Sequence, residues 1–551
     1  MEGLDARIVS VEWLSGFAQA ITAGEVKNVV KTILPNGWFR DVLTLTWDYR
    51  ALEGAEKIVQ YLSEHLRTGQ ITALRLAEDK FYEPRYIEAV GWIEAVFKYE
   101  TPVALGRGHA RLAKDGAGQW KAVSICMIVE DLKGHEEASH ELGIYGNHTL
   151  AWSDVVRERK ARIESDPQVL IVGGGQTGLQ IAARFKQMGI RAIVIEQNER
   201  IGDTWRKRYP TLTLHTVRNH HQLLYQPFPR NWPFYTPKEK VADWLESYAK
   251  LQDLVAWTKS KVDGQPVYHD DRGKWDVVID RNGEQVTIHP AHIVMAIGTL
   301  GEPREATLPN REKFAGTTLH TSKYEGGARY AGKRVVVVGA GNSSIDICQD
   351  LCFHKAKSVT MIQRSSTCVS SGESTAQNLM RFWPDGVPVE VGDFNFGAIP
   401  LGWFKKVMQT QTDAMWESQK DLFDKLRKGG MALNMGPDGQ GQLLLVWEKG
   451  GGYWIEKGGA DLIASGDIRV KQGVQPSSFS ETGLIFEDGT EVQADVVIFA
   501  VGYITIRESS RKILGDETVD RTGAVYGLDE EGELQGSYRP TGHPGVSKFA
   551  A

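Results

Sequence analysis

Residues 168–197 read QVLIVGGGQTGLQIAARFKQMGIRAIVIEQ, and they decide the architecture of most of this chain. An apolar run ends in three glycines, a segment with helical spacing of Leu179, Ala182 and Ala183 follows, and a second apolar run, Ala192 to Ile195, closes the unit. A strand, a glycine turn, an amphipathic helix and a second strand make the first βαβ unit of a doubly wound parallel sheet. Gly173, Gly175 and Gly178 fall in G-x-G-x-x-G register directly after the strand and at the opening of the helix. That context is what a dinucleotide loop needs: a tight turn, room for a pyrophosphate at the helix N-terminus, and close contact between helix and strand. Glu196 ends the second strand, where a carboxylate accepts hydrogen bonds from a ribose.

The pattern recurs at residues 333–365, KRVVVVGAGNSSIDICQDLCFHKAKSVTMIQRS, with Gly339, Gly341 and Ser344 in the loop. Here the second strand ends in Gln363 and Arg364 instead of an acid. A guanidinium pairs bidentately with phosphate, so this copy favours the 2'-phosphate of NADPH, unless Arg364 is only a surface arginine. Ser365 and Ser366 stand ready to add hydroxyls. One acid-ended and one arginine-ended site predict a bound flavin, FAD, and a visiting NADPH, with hydride transfer as the minimum chemistry.

Around these units the 551 residues leave room for further domains. Residues 1–150 alternate helical stretches, at Trp13 to Ile21, Val26 to Leu34 and Ala55 to Leu66, with strand-like runs, at 86–100, 102–115 and 120–131. That order predicts an α+β domain. Its Asp41 and His109 form no convincing acid/base pair and read as surface residues. Residues 151–166 read as a charged linker helix. From there the reading assigns 167–325 to the first part of the FAD-binding domain and 326–480 to an NADPH-binding domain with a helical insertion. Residues 481–551 then return to the FAD-binding domain. The polar amphipathic segment Phe404 to Arg427 is expected as a cover over the active site.

Bulk properties exclude several classes. A net charge of −6, from 64 basic and 70 acidic residues with no basic run, gives no footprint for nucleic acid. Small molecules are the expected partners. The four cysteines make no CxxC pair and fit no zinc site, so neither a metal nor a disulfide reductase is expected. With no signal peptide and no long apolar window, the expected location is cytoplasmic.

The stretch between the two units, KFAGTTLHTSKY at 313–324, places Phe314, Gly316, His320 and Tyr324 in the spacing F-x-G-x-x-x-H-x-x-x-[Y/F]. This resembles the fingerprint of the flavin-containing monooxygenases, among the class B flavoprotein monooxygenases, and especially those related to plant YUCCA enzymes. GDTWRKRYPTLTLHT, with Gly202, Trp205 and Arg206, resembles the segment of that family that passes the flavin. QPFPRNWPFYTPKEKVADWLESYA is similar to the run after it, and AIGTLGEP and AVGY to the paired strand ends where the chain crosses between domains. The first 150 residues resemble cone-shaped NTF2-like (SnoaL-like) domains, which also serve as dimerisation modules, so a homodimer through this domain is one expected arrangement.

The resemblance implies two Rossmann-like domains, the NADPH domain inserted in the FAD domain. It also implies insertion of one oxygen atom from O2 into a small organic substrate through a C4a-(hydro)peroxyflavin. The substrate is then an amine, a thioether or a 2-oxo acid. Tyr324, where Baeyer-Villiger enzymes carry tryptophan, leans the reading toward that set; Baeyer-Villiger oxygenation, an uncoupled NADPH oxidase and a degenerate flavoprotein acting as a binding or dimerisation module remain the alternatives. The same resemblance makes His320 a hinge residue that bonds backbone, and offers Asn219 as a candidate beside the reacting flavin. Trp232, Phe234 and Tyr235 either line a substrate pocket or pack a loop. Relatives continue beyond the RP-x-GHPG element found here near residue 540, which leaves FAD retention as an open expectation.

Overall fold

The computed structural model describes residues 4–298, 301–537 and 539–548. At the N-terminus a seven-stranded mixed sheet is covered on one face by helices Ala6–Ala23 and Ala55–Gly69. Alternation along strand Ile33–Val42 explains why. Ile33 and Phe39 point into a core shared with Phe17, Phe97 and Ile125, while Arg40 points to the opposite face. Asp5 caps the first helix by accepting from the backbone N–H of Arg7 and Ile8. Asp41 and His109, expected at the surface, are both buried. Asp41 faces the helices and is held by Tyr61 Oη at 2.6 Å and by the N–H groups of Thr44 and Leu45, whereas His109 lies on the other face. Polarity alone does not reveal this burial, because nearby N–H groups and the Tyr61 hydroxyl satisfy the Asp41 carboxylate inside the domain.

After helix Trp152–Ser165 come two parallel five-stranded sheets. The first runs Ala256–Trp257, Ala192–Ile195, Val169–Val172, His292–Met295, Val546–Lys548. The helix Gln176–Gln187 packs on one face through Ala182, and a β-meander carrying Trp275, Val277 and Ile279 packs on the other. The second sheet runs Thr317–His320, Val496–Phe499, Arg334–Val338, Ser358–Gln363, Ile468–Gln472. Two boundaries therefore shift. Strand Thr317–His320 belongs to the second sheet, and so does Val496–Phe499, which bonds both Thr317–His320 and Arg334–Val338. The chain crosses back toward the first sheet only after Phe499, because that central strand completes the second sheet.

The helical insertion lies between strands Thr367–Ser371 and Tyr453–Glu456. The segment 404–427 is not one long helix: Leu401–Gln409, Thr412–Ser418 and Lys420–Lys428 are separate. Thr412 Oγ1 bonds the carbonyls of Gln409 and Gly439, at 2.8 and 2.7 Å, which turns the chain at that point. Its early side chains meet the N-terminal domain, with Trp403 against Trp92 and Lys406 paired with Glu53. Helix Gly372–Phe382 of the insertion packs on Val217 of strand Thr213–Val217, which pairs with Tyr235–Pro237 in a separate two-stranded sheet.

Candidate active site

The two glycine loops have the same steric design. Gly173 has φ of 114°, and a Cβ there would come within 2.2 Å of the Ala296 carbonyl; Gly339 has φ of 128° and the same relation, at 2.4 Å, to the Ala500 carbonyl. Only glycine fits either place. A Cβ on Gly178 would stand 2.0 Å from the Gly173 carbonyl, so the third glycine lets the helix pack on its own loop. Ser344 takes that position in the second loop, buried and with no hydrogen-bond partner for its Oγ. The middle glycines differ in kind. A Cβ on Gly175 would meet no atom within 4 Å, and one on Gly341 only the Tyr453 carbonyl at 3.7 Å. Space is kept open at the N-terminus of a 12-residue helix in both copies. A pyrophosphate fits such a cradle.

Glu196 is buried beside the first loop, where its carboxylate accepts from the N–H of Gly174 at 3.0 Å and from the N–H and Nδ2 of Asn198. Trp205 Nε1 donates to Gln176 at 3.2 Å, which brings the indole to the same helix start. Gly202, at φ of 89°, seats that turn against the Ala242 carbonyl. Arg206 departs from expectation. Its guanidinium is spent on Asp203, Asp243, Glu246 and the Ile201 carbonyl, so it holds the turn together instead of facing the loop. In the second copy Gln363 is fully buried and ties strand end to chain through Thr367 and Ala432. Arg364 is exposed and bonds none of the described residues.

The connector works as a joint. Phe314 packs on Phe479 at 5.2 Å between ring centroids, and a Cβ on Gly316 would stand 2.4 Å from the Asp495 carbonyl. His320 Nδ1 accepts from the Ser322 N–H at 3.1 Å, which leaves Nε2 to donate to the Gly502 carbonyl at 3.2 Å. Burial lowers its pKa, and this neutral tautomer clips the connector to the second crossing. Tyr324 Oη donates to buried Asp350 at 2.7 Å, an anchor within the second unit. Of the first crossing, Thr299 and Leu300 lie outside the described residues.

Asn219 does not face a loop. Its Nδ2 donates to the Trp383 carbonyl at 3.1 Å and to Asp385 at 2.9 Å, latching the segment after strand Thr213–Val217 to the insertion. Trp232 stacks on Phe228 at 4.7 Å and packs a loop with Trp244, and Phe234 is largely exposed. Tyr235 reaches the interface, donating to the Gly372 carbonyl at 3.3 Å.

The sequence reading missed two residues there. Lys457 lies with Nζ 3.6 Å from the centre of the Tyr235 ring and pairs with no carboxylate among the described residues. Across from it stands His215, whose pKa is lowered by burial first and by Lys457 second. Strand alternation offered one signal: His215 shares a face with Val217, which is buried against helix Gly372–Phe382. Tyr209 and Asp346 form a further bond across the units, at 2.7 Å.

Sequence comparisons with known proteins identify the family. Residues 170–381 match the family model described as pyridine nucleotide-disulphide oxidoreductase, although all four cysteines here are free thiols. An indole-3-pyruvate monooxygenase of Oryza sativa subsp. japonica, YUCCA1, is 30% identical over 359 residues, covering 64% of this chain and 80% of that protein. The probable indole-3-pyruvate monooxygenase YUCCA9 of Arabidopsis thaliana is 30% identical over 365 residues, 64% of this chain and 78% of its own. Among solved structures, a flavin-containing monooxygenase from Stenotrophomonas maltophilia aligns at 19% identity and a TM-score of 0.45, over 70% of this chain and 90% of that one. With two glycine cradles, a clipped connector between them and relatives matched over most of their length, this chain is an oxidoreductase that belongs to the flavin-containing monooxygenase family.

Proposed function

We propose that this protein is an FAD- and NADPH-dependent monooxygenase that places one oxygen atom of O2 in a small organic substrate. The paired cradles carry this reading, since each keeps a helix N-terminus open at the one glycine whose Cβ would meet little or no protein. Gly173, Gly175, Gly178 and Glu196 would hold the FAD, with Trp205 alongside and Gly202 seating the turn. Gly339, Gly341, Ser344 and Arg364 would hold NADPH, the free guanidinium meeting the 2'-phosphate. When bound, the nicotinamide supplies a hydride and the flavin supplies oxygen activation. The chain's own work is to fix both dinucleotides, to exclude water, and to hold the units at a set distance through His320, Gly502 and the Tyr209–Asp346 bond. Residues 1–150 are the α+β domain read as NTF2-like.

An acidic substrate fits the interface best. Lys457 offers an unpaired cation beside the Tyr235 ring, with a half-buried imidazole opposite, and a carboxylate would complete that group. The 2-oxo acid named in the YUCCA relatives has that chemistry. The test supplies 18O2 and NADPH with a 2-oxo acid, a thioether, an amine and a ketone in turn, and follows the label by mass spectrometry. One labelled oxygen in the carboxylic acid formed from the 2-oxo acid, whose own carboxyl leaves as CO2, supports the reading, and a roughly tenfold higher KM for the 2-oxo acid in Lys457→Gln, with the thioether unaffected, would support the cation's role. NADPH consumption that yields only hydrogen peroxide with every substrate would make the protein an oxidase.

A further inference from the structure

The outer face of the N-terminal sheet buries two arginines, Arg40 and Arg111, that bond chain more than 280 residues away in sequence, Arg111 pairing also with Glu94 of its own sheet at 3.5 Å. Arg40 donates to the carbonyls of Gly397 and Ile399 and pairs at 2.9 Å with Glu533, which also accepts from Tyr49 Oη at 2.6 Å and from the Leu401 N–H at 3.2 Å. Arg111, on strand Ala104–Lys114 with strand Trp120–Leu132 between it and that of Arg40, donates to the carbonyls of Asn395 at 3.0 Å and Ala398 at 3.4 Å. Asn395 and Gly397 lie in the last turn of helix Val389–Gly397, Ala398 is its C-cap and Ile399 follows it. The last carbonyls of a helix have no donor within it and carry its negative pole, so two arginines from another body of the fold supply its C-terminal cap. Phe394 of that helix enters a box formed by Tyr82, His109 and the Arg107 guanidinium, with the cation 5.1 Å from the ring centre.

The same helix faces the other way as well. A Cβ on Gly392 would come within 2.4 Å of the Trp383 ring, and Phe396 packs on Phe382 at 4.9 Å and on Trp383 at 5.2 Å. Behind it, helix Gly372–Phe382 packs through Ala376 and Leu379 against Val217. Asn219 latches the end of this layer through the Trp383 carbonyl and Asp385. A continuous stack thus runs from the N-terminal sheet to strand Thr213–Val217.

We propose that the N-terminal domain acts in cis as a brace: its outer sheet face is the seat of helix Val389–Gly397, and by capping that helix it holds helix Gly372–Phe382 against strand Thr213–Val217. Arg40 and Arg111 are positioning residues in this device. Pairing of two copies through the same face would require the insertion to leave it, which counts against a homodimer at that surface. The brace rests on the monooxygenase reading only for its activity readout.

Hydrogen exchange on the full chain tests it. In Arg40→Ala, exchange should rise roughly tenfold or more in 389–397 and spread to 372–382, while strands Trp92–Glu100 and Ala104–Lys114 keep their protection. With cofactors present, the same variant should consume NADPH at a rate close to that of the parent and release several-fold more hydrogen peroxide per NADPH. If Arg40→Ala does not fold, Phe394→Ala probes the seam from the insertion side without stranding a charge, and the same pattern is expected. Unchanged protection of 372–382, or a rise spread equally through the N-terminal strands, overturns the brace. A parent protein that oxidises no NADPH would remove the functional reading, and the exchange result would still decide the brace.

Discussion

Gly175 separates a structural glycine from one kept for a ligand. Its φ of −83° suits any residue, and its Cβ position is empty, so nothing in the protein demands glycine there. Gly175→Ala should therefore change the stability of the cofactor-free protein by no more than about 1 kcal/mol, the range of an N-cap change. Bound FAD should nonetheless fall at least roughly tenfold, read as the flavin-to-protein absorbance ratio after dialysis. Gly178→Ala, by contrast, should lower both, because its methyl would overlap the Gly173 carbonyl. This part of the site was legible in the sequence because the steric demands of the loop are local. Arg206 and Asn219 were not: each is defined by what it meets far along the chain, Asp243 and Glu246 for one and the Trp383 carbonyl and Asp385 for the other.

At the scale of elements, the segment after strand Thr213–Val217 joins the two units through packing, and it carries two imidazoles held uncharged. His220 stands edge-on to Trp383 at 4.6 Å, and His221 bonds Thr236 at 2.8 Å. Burial lowers both pKa values to about 4, and for His221 the neighbouring His220 adds to the effect. The unfolded chain takes up these protons near pH 6.5, so their contribution to stability is whole above that pH and is lost as the pH falls toward 4. His220→Phe keeps the ring contact and removes one titration. Urea midpoints at pH 7.5 and pH 5 should then show a loss on acidification smaller than in the parent by about 1–2 kcal/mol. An equal loss in both proteins would mean that these rings do not titrate between the two states. The βαβ units were readable because their apolar runs and helix periods are intrinsic to the segment; the break of 404–427 into three helices was not, since Thr412 turns the chain by bonding Gly439.

For the whole molecule, two order-of-strand facts explain how three bodies act together. Strand Val496–Phe499 completes the second sheet before the chain returns to the first, and the crossing that follows brings Gly502 to His320. The N-terminal domain, which looked separable in sequence, buries Arg40 and Arg111 against the insertion. No single-sequence pattern announces that seam, because alternate residues of a strand's outer face look the same whether water or another domain covers them. Among the described residues no helix is long and apolar enough to cross a membrane. The central claim is that this fold brings a bound flavin under the control of NADPH, and anaerobic mixing of the purified holoprotein with each nicotinamide reads it directly. The account predicts a yellow protein whose flavin absorbance is bleached rapidly by NADPH and slowly by NADH. A protein that cannot be loaded with FAD, or whose bound flavin stays oxidised with both nucleotides, would contradict it.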